Sequence, residues 1–432
     1  MEGSVPPSAA RGVREAWRDN PQWRRLFLAR TSSLFGNWLN TLAIVHLLGQ
    51  GEHQSALALA LVFVLKQLPT VLLGPLAGVL ADRLDRRRLM VVCDVLDAGI
   101  ALAFLGLATW GVGFVYLLAG LQIAVATVFE PARQASVPNL VRSEDLVSVN
   151  ALSSVMWSIM FALGTTVGGV VLAAGGWRVA MVVDAATYVV SALLVASIRF
   201  PPRASAEVET EAIAARVDWR ALTGFDDVIG GARFIVREPM VRHLIAVKFT
   251  WGFMGAITLF VTLLGMRPSY ALGNSQDLSI AALWAARAVG TGIGPFLARA
   301  YAGEDPARLR QTIGAGFVLA IICYAALPLW PRPAVTIPLV VAAHVGGAMV
   351  WVMSSVLLQM SVPDAYRGRT FAAELGLVML TNSISNVAYA LVIDVGGLSL
   401  ERVVWLATAI FSLAVGRWVW VELRLRRVQT PR

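Results

Sequence analysis

Two basic residues, Lys66 and Arg287, interrupt long apolar runs near their middles. An ionisable side chain in such a place costs roughly 2.5–3.5 kcal/mol on insertion scales, so each needs a partner or a water-lined face. They fall at almost equivalent positions in the two parts of the chain, and Lys66 is one of only two lysines. Together they read as a cationic patch that binds an anionic molecule or sets the charge state of a nearby acid. The competing reading ties each to a carboxylate or lets it snorkel. Glu130 and Arg133 stand three apart and pair on one helical face. Glu130 is therefore weighed as a proton-carrying group against a structural ion pair, and Asp94 and Asp97, one turn apart, are weighed in the same way. Asp184, Glu374 and Asp394 lie nearer the ends of their runs and read as interface anchors.

Asn37, Trp38, Asn40, Thr41, Gln122, Trp251 and Trp351 would give stacking surface and a few hydrogen bonds for a bulky amphipathic compound. Against this, tryptophans in apolar runs also serve as lipid-facing or interfacial anchors. Other chemistries find little support. His46, His53, His243 and His344 are scattered, and Cys93 and Cys323 both fall in apolar runs, so no metal-ligand spacing or disulfide framework emerges. Neither a Walker-type lysine nor a nucleophile constellation appears, which argues against an enzyme and against any cofactor. Energy would come from an ion gradient.

These residues need elements that cross a bilayer. The chain has 432 residues, 57% hydrophobic and 15% charged, with a mean hydropathy of +0.68. That composition is too apolar for a water-soluble chain of this size. A spanning helix needs about 20 apolar residues, and twelve runs qualify, near 27–50, 55–81, 89–109, 113–137, 149–174, 178–198, 243–265, 278–300, 311–330, 336–361, 371–395 and 401–421. The fourth and fifth are the most interrupted, by Glu130, Pro131 and Arg133. The net charge of +9 does not point to nucleic acid, because the arginines lie between the spans. They cluster before span one, after spans two and four, and between spans six and seven, which places both termini in the cytoplasm by the positive-inside rule. An all-α membrane protein of twelve transmembrane helices is expected, and its Arg-, Ala- and Gly-rich usage fits the inner membrane of a bacterium.

The order falls into two halves. After an N-terminal segment, 1–26, come a six-helix half at 27–198, a polar linker at 199–242, a second six-helix half at 243–421 and a tail at 422–432. The linker's last part, Asp218 to Val236, could form an amphipathic helix on the membrane surface. "SVPNLVRSEDL" after span four is echoed by "SVPDAYRGRTF" after span ten, and Gly74-Pro75 by Gly294-Pro295. This is the pattern of a duplicated unit with its path between pseudo-symmetric halves.

The stretch "GPLAGVLADRLDRRRLM" closes span two and opens span three. It resembles the loop between spans two and three of the major facilitator superfamily, Gly-x-x-x-Asp-Arg-x-x-Arg-Arg. The resemblance gives Gly78, Asp82, Arg83, Arg86 and Arg87, joined by Arg133, the role of a latch that holds one state of an alternating-access cycle; Asp85 stands where the family often has Gly. "NPQWRRLFLARTSSLFGNW", "FEPARQASVPNLVRSEDLVSVNALSS" and "GGWRVAMVVDAATYVVSALL" are similar to the enterobactin-exporter and macrolide-efflux type, the transmembrane secretion effectors. Two departures stand out. The span-five glycine motif of exporters keeps Gly164, Gly168 and Gly169 but has Thr165 where Pro is usual, and Asn37 replaces an Asp common in span one. The resemblance implies a monomeric, proton-driven exporter of a siderophore-like or antibiotic-like small molecule in a lipid bilayer. An uncoupled facilitator or importer is the second reading, and a non-transporting receptor or scaffold the third.

Overall fold

The computed structural model describes residues 13–49, 55–111, 113–200, 233–273, 275–303, 305–330 and 332–429. Most of the linker, including much of the expected amphipathic helix, lies outside them. Helices account for nearly all of the described chain: α1 (Val13–Asp19), α2 (Pro21–Gly49), α3 (Ala56–Leu65), α4 (Leu68–Arg83), α5 (Arg86–Ala103), α6 (Leu107–Trp110), α7 (Phe114–Leu140), α8 (Leu146–Ala196), α9 (Pro239–Gly252), α10 (Ile257–Gly265), α11 (Gln276–Ala302), α12 (Pro306–Ala326), α13 (Pro333–Ser361), α14 (Asp364–Asp394) and α15 (Leu400–Gln429). Ten stretches among the described residues are long and apolar enough to cross a membrane. One of them, Ser148–Ala196, bends at Gly176, whose φ of 73° is the left-handed conformation that glycine adopts without steric cost. Its two arms, together with the more polar Pro21–Gly49, bring the helical passes to twelve.

Local chemistry sets the breaks. Pro69 lacks an amide and its ring clashes with the carbonyl four residues back, so span two splits between α3 and α4 and leaves Lys66 at the joint. Span seven breaks between α9 and α10, where three side chains of α14 satisfy the freed carbonyls: Ser385 donates to Gly252 at 2.9 Å, Tyr389 to Phe253 at 3.1 Å and Asn386 to Gly255 at 3.4 Å. By contrast α7 runs unbroken through Pro131 and Pro138, so the fourth span is intact despite its interruptions. Helix ends also differ from the expected bounds. The first long helix starts at Pro21, behind Asn20, and the last runs on past 421, burying Glu422.

Odd-numbered passes run away from the face that carries the termini, and even-numbered passes return to it. On the far face the two halves are bolted together. Asp394 at the end of α14 accepts from Ser55 Oγ at 2.7 Å and from the amides of Ala56 and Leu57 at 3.0 and 2.8 Å, capping α3 across the boundary. His46 on α2 meets Asp277 on α11 at 2.7 Å. Between these contacts α8 lies so close to α11 that a Cβ on Gly169 would sit 2.2 Å from that of Ala281. On the terminal face the corresponding edges are apart: Gly74 and Gly78 on α4 and Gly376 on α14 have nothing within 4 Å of a would-be Cβ. The buried core follows the same division. One cluster spans both halves, whereas the terminal end of the first half has a cluster of its own around Trp23, Met90, Phe129 and Val195. The bundle is a V that opens toward the terminal face.

Candidate functional site

The first half carries a polar ladder through its interior. Near the midline, Lys66 Nζ donates to Thr41 Oγ1, which in turn donates to the Asn37 carbonyl at 2.7 Å. Asn37 Nδ2 lies 3.5 Å from the Tyr188 hydroxyl. Asp184, on the second arm of α8, accepts from Gln122 Nε2 at 3.4 Å, with Asn40 and Lys66 also within reach. Gly36 makes this possible, because a Cβ there would fall 2.5 Å from Asp184 Oδ1. Further toward the terminal face come Asp97, whose Oδ1 is buried without a hydrogen-bond partner, and Asp94, which accepts from Ser191 at 2.7 Å. Asp184, Asp94 and Asp97 are 0%, 1% and 3% exposed, and none forms a salt bridge among the described residues. The interface-anchor reading of Asp184 is therefore corrected. Its run bends at Gly176, and eight residues of helix beyond that bend carry it about 12 Å inward.

At the terminal end of the ladder Glu130 is clamped. Arg133 gives it Nε at 3.2 Å and Nη2 at 2.6 Å, Gln134 donates at 2.9 Å, and Arg30 stands 3.4 Å away. Two guanidinium groups neutralise this acid, so the structural ion pair describes it and Arg133 is spent on it. The arginines of the expected latch make their contacts within the first half here. Arg86 donates to the Ala135 carbonyl at 2.6 Å, and Arg87 reaches the Ile198 carbonyl at 3.4 Å, past the C-terminal end of α8 where cations are favoured. Arg83 is exposed, and the side chain of Asp82 lies outside the described residues. Gly78, expected to belong to the latch, has nothing within 4 Å of a would-be Cβ, in keeping with halves that are parted at this end. Asp85 caps α5 by accepting from the Arg88 amide at 2.7 Å, which explains an acid where Gly is usual.

Where the halves meet at the midline, Trp38 stacks on Phe161 with centroids 4.1 Å apart and stands edge-on to Trp284 at 6.4 Å. Phe63, one turn from Lys66, is 6.2 Å from Trp284, one turn from Arg287. Lys66 and Arg287 thus flank one aromatic cluster, each part-exposed and neither in a salt bridge among the described residues. Gly164 and Gly168 press α8 against Trp38 and Leu39 of α2, while Gly169 faces α11, so the span-five motif serves close packing on two sides. Thr165 bonds back to the Phe161 carbonyl at 2.7 Å, and the helix stays helical there. Trp251 is packed between Gly347, Tyr324 and Phe411 inside the second half, away from the cluster expected to include it. Trp351 is 39% exposed and covers Lys248 Nζ at 4.6 Å.

Sequence reasoning missed Lys248 altogether. Buried at 4%, it pairs with Glu374 at 2.8 Å and donates to Ser355 at 2.7 Å. Its signal was present: it is the other lysine of the chain and it interrupts an apolar run. Glu374 is no interface anchor, because α14 begins at Asp364 and places it about 15 Å into the helix. His344, hydrogen-bonded to Arg287, and Asp394, which joins the halves, carried no local signal of those roles.

Two six-pass halves joined on one face and splayed on the other, with charged groups at the midline between them, are the architecture of a membrane transporter. The comparisons with known proteins agree. The chain belongs to the Major Facilitator Superfamily, whose family model matches residues 26–389. It is 28% identical over 411 residues to the uncharacterized MFS-type transporter Rv0037c of Mycobacterium tuberculosis, covering 92% of this chain and 90% of that one. Macrolide efflux protein A of Streptococcus pyogenes is 26% identical over 182 residues, 41% of this chain and 44% of that protein. A putative bacilysin exporter of Bacillus subtilis, BacE, is 32% identical over 140 residues, 32% of this chain and 34% of that protein. Among solved structures, a bacterial homolog of the human lysosomal transporter Spinster superposes with a TM-score of 0.72 at 17% identity, over 97% of this chain and 98% of that one.

Proposed function

We propose that this transporter is a proton-coupled exporter of a small organic molecule, with the terminal face toward the cytoplasm of a bacterial cell and the V of the present structure open to it. The arginine-rich segments on that face support the orientation. The partial likenesses to a macrolide efflux protein and a bacilysin exporter support the direction. One observation carries the coupling: Asp184, Asp97 and Asp94 descend from the midline toward the terminal face, buried and without a salt-bridging cation among the described residues. An uncompensated buried carboxylate costs several kcal/mol, whereas a carboxyl that takes up a proton does not. Such acids are suited to accept protons when the outer side is open and to release them when the inner side is.

The test uses inside-out vesicles holding an acidic interior. Siderophores, macrolides and lipophilic dyes are added in turn, and dissipation of the pH gradient is followed. One compound class is expected to dissipate the gradient in the native protein, and Asp184→Asn is expected to lower that rate about a hundredfold, in line with loss of a positioned proton-transfer group. Compounds that exchange across the membrane without moving protons, with or without Asp184, would replace this reading with uncoupled facilitation.

A further inference from the structure

Arg287 is a midline cation answered by a neutral residue. Its Nε donates to His344 Nε2 at 3.0 Å, while His344 Nδ1 lies 2.9 Å from the Val340 carbonyl. A carbonyl only accepts, so Nδ1 carries the ring proton and Nε2 offers its lone pair to the guanidinium. His344, 6% exposed, therefore holds Arg287 in place without cancelling its charge. The terminal nitrogens make no hydrogen bond among the described residues, and the side chain is part-exposed. Lys66 differs, since its ammonium is engaged by Thr41 and has Asp184 nearby.

Beyond His344 and Tyr324 of its own half, the aromatic neighbours come from the other half. The guanidinium carbon lies 5.7 Å from the Phe161 ring, which Trp38 stacks on and Trp157 approaches at 5.6 Å. Trp157 is 43% exposed. A guanidinium fork with both terminal nitrogens unspent is the geometry that takes a carboxylate through two parallel hydrogen bonds. Beside it, a shelf of rings takes a flat or apolar body.

We propose that the midline between the halves binds an amphipathic organic acid, its carboxylate gripped by Arg287 Nη1 and Nη2 and its apolar body lying on Phe161, Trp38 and Trp157. This names the substrate class of the proposed exporter and rests on that reading for the transport step after binding. Because one half supplies the fork and the other the shelf, the acid spans the boundary whose opening and closing constitute transport.

The experiment is an equilibrium titration of the purified full chain in lipid nanodiscs, with quenching of tryptophan fluorescence as the readout. Three probes of similar size are compared: nitrobenzoate, nitrobenzamide and nitrobenzylammonium. The native protein is expected to bind the acid about tenfold or more tighter than the amide, as charge-assisted hydrogen bonds imply, and the ammonium compound most weakly. Arg287→Gln should bring acid and amide to within about twofold, Arg287→Lys should keep part of the preference, and His344→Phe should weaken the acid alone. Equal binding of acid and amide by the native protein overturns the proposal without recourse to any variant. So does an undiminished preference in Arg287→Gln. No proton movement enters the measurement, so its failure leaves the vesicle experiment untouched, and the converse holds.

Discussion

The two six-pass halves share a plan and treat their buried charges in opposite ways. In the second half the buried acids have cations, Glu374 with Lys248 at 2.8 Å and Glu422 with Arg310 at 3.9 Å beside the His243 ring, and nearer the surface Arg267 meets Glu401. In the first half Asp94, Asp97 and Asp184 are as deeply buried but form no salt bridge among the described residues: Asp94 accepts from a hydroxyl and Asp184 from an amide, with Arg30 and Lys66 standing only nearby. A matched pair carries no net charge into the apolar interior, so the surrounding structure does not depend on where protons are. An unmatched acid changes the net charge of its half each time it gains or loses one. On the proposed coupling, the difference separates a half that responds to protons from a half that holds its shape. Arg287, a midline cation of the second half with no salt bridge among the described residues, sits at the edge facing the first.

The contrast breaks most visibly if a matched pair is split. Lys248→Met leaves Glu374 charged and buried without its partner, which is expected to cost about 3–5 kcal/mol of stability. Unfolding in mixed detergent micelles, followed by tryptophan fluorescence, measures that loss, and adding Glu374→Leu should restore most of it. Asp97→Asn in the first half removes an acid that had no cation and is expected to change stability by less than about 1 kcal/mol. If Asp97→Asn destabilises as much as Lys248→Met, the halves do not differ in the way their contacts imply.

Much of the architecture was legible because apolar length is a local property: a run of twenty such residues spans a bilayer whatever lies beside it. The polar phrases at the terminal face were also informative. Asn20 of one phrase accepts from the Arg142 amide and donates to Asp145 of the other, at 3.1 and 2.8 Å. Pairing was not legible, because it is decided by packing between distant segments. Lys66 and Lys248 look alike in sequence, yet one meets a hydroxyl and the other a carboxylate. Nothing beside Glu130 in sequence announces Arg30, a hundred residues earlier, which stands 3.4 Å from it. Depth is hidden as well: hydropathy ends a helix where its polar cap begins, whereas the helix holding Glu374 starts at Asp364 and the arm holding Asp184 starts at the Gly176 bend.

A smaller effect is expected where the halves touch. Asp394 answers no cation of its own half among the described residues; its carboxylate serves the N-terminus of α3 with three hydrogen bonds. Asp394→Asn keeps the shape, removes the charge and replaces one acceptor by a donor. A loss of about 1–2 kcal/mol from the far-face-closed state follows from the value of a charged cap. Spin labels at the exposed positions Phe114 and Val395 would report it as a new population at longer distance. An unchanged distance distribution would mean that the seam between α8 and α11 holds the far face shut by itself.

The smallest effect sharpens the boundary of the responsive half. Glu130 stands at the end of the polar ladder but behaves like the charges of the second half, neutralised by Arg133 and Arg30. Glu130→Gln retains a carbonyl oxygen for the Arg133 fork and Gln134, so the local geometry should survive. What it removes is a negative charge whose loss leaves two arginines near the terminal face, where water and salt screen them. Substrate-driven dissipation of the pH gradient is therefore expected to stay within about threefold of the native rate, a change of about 0.6 kcal/mol. A rate as low as that of Asp184→Asn would move Glu130 into the responsive set, and the clamp would then be a state that the cycle opens rather than a fixed support.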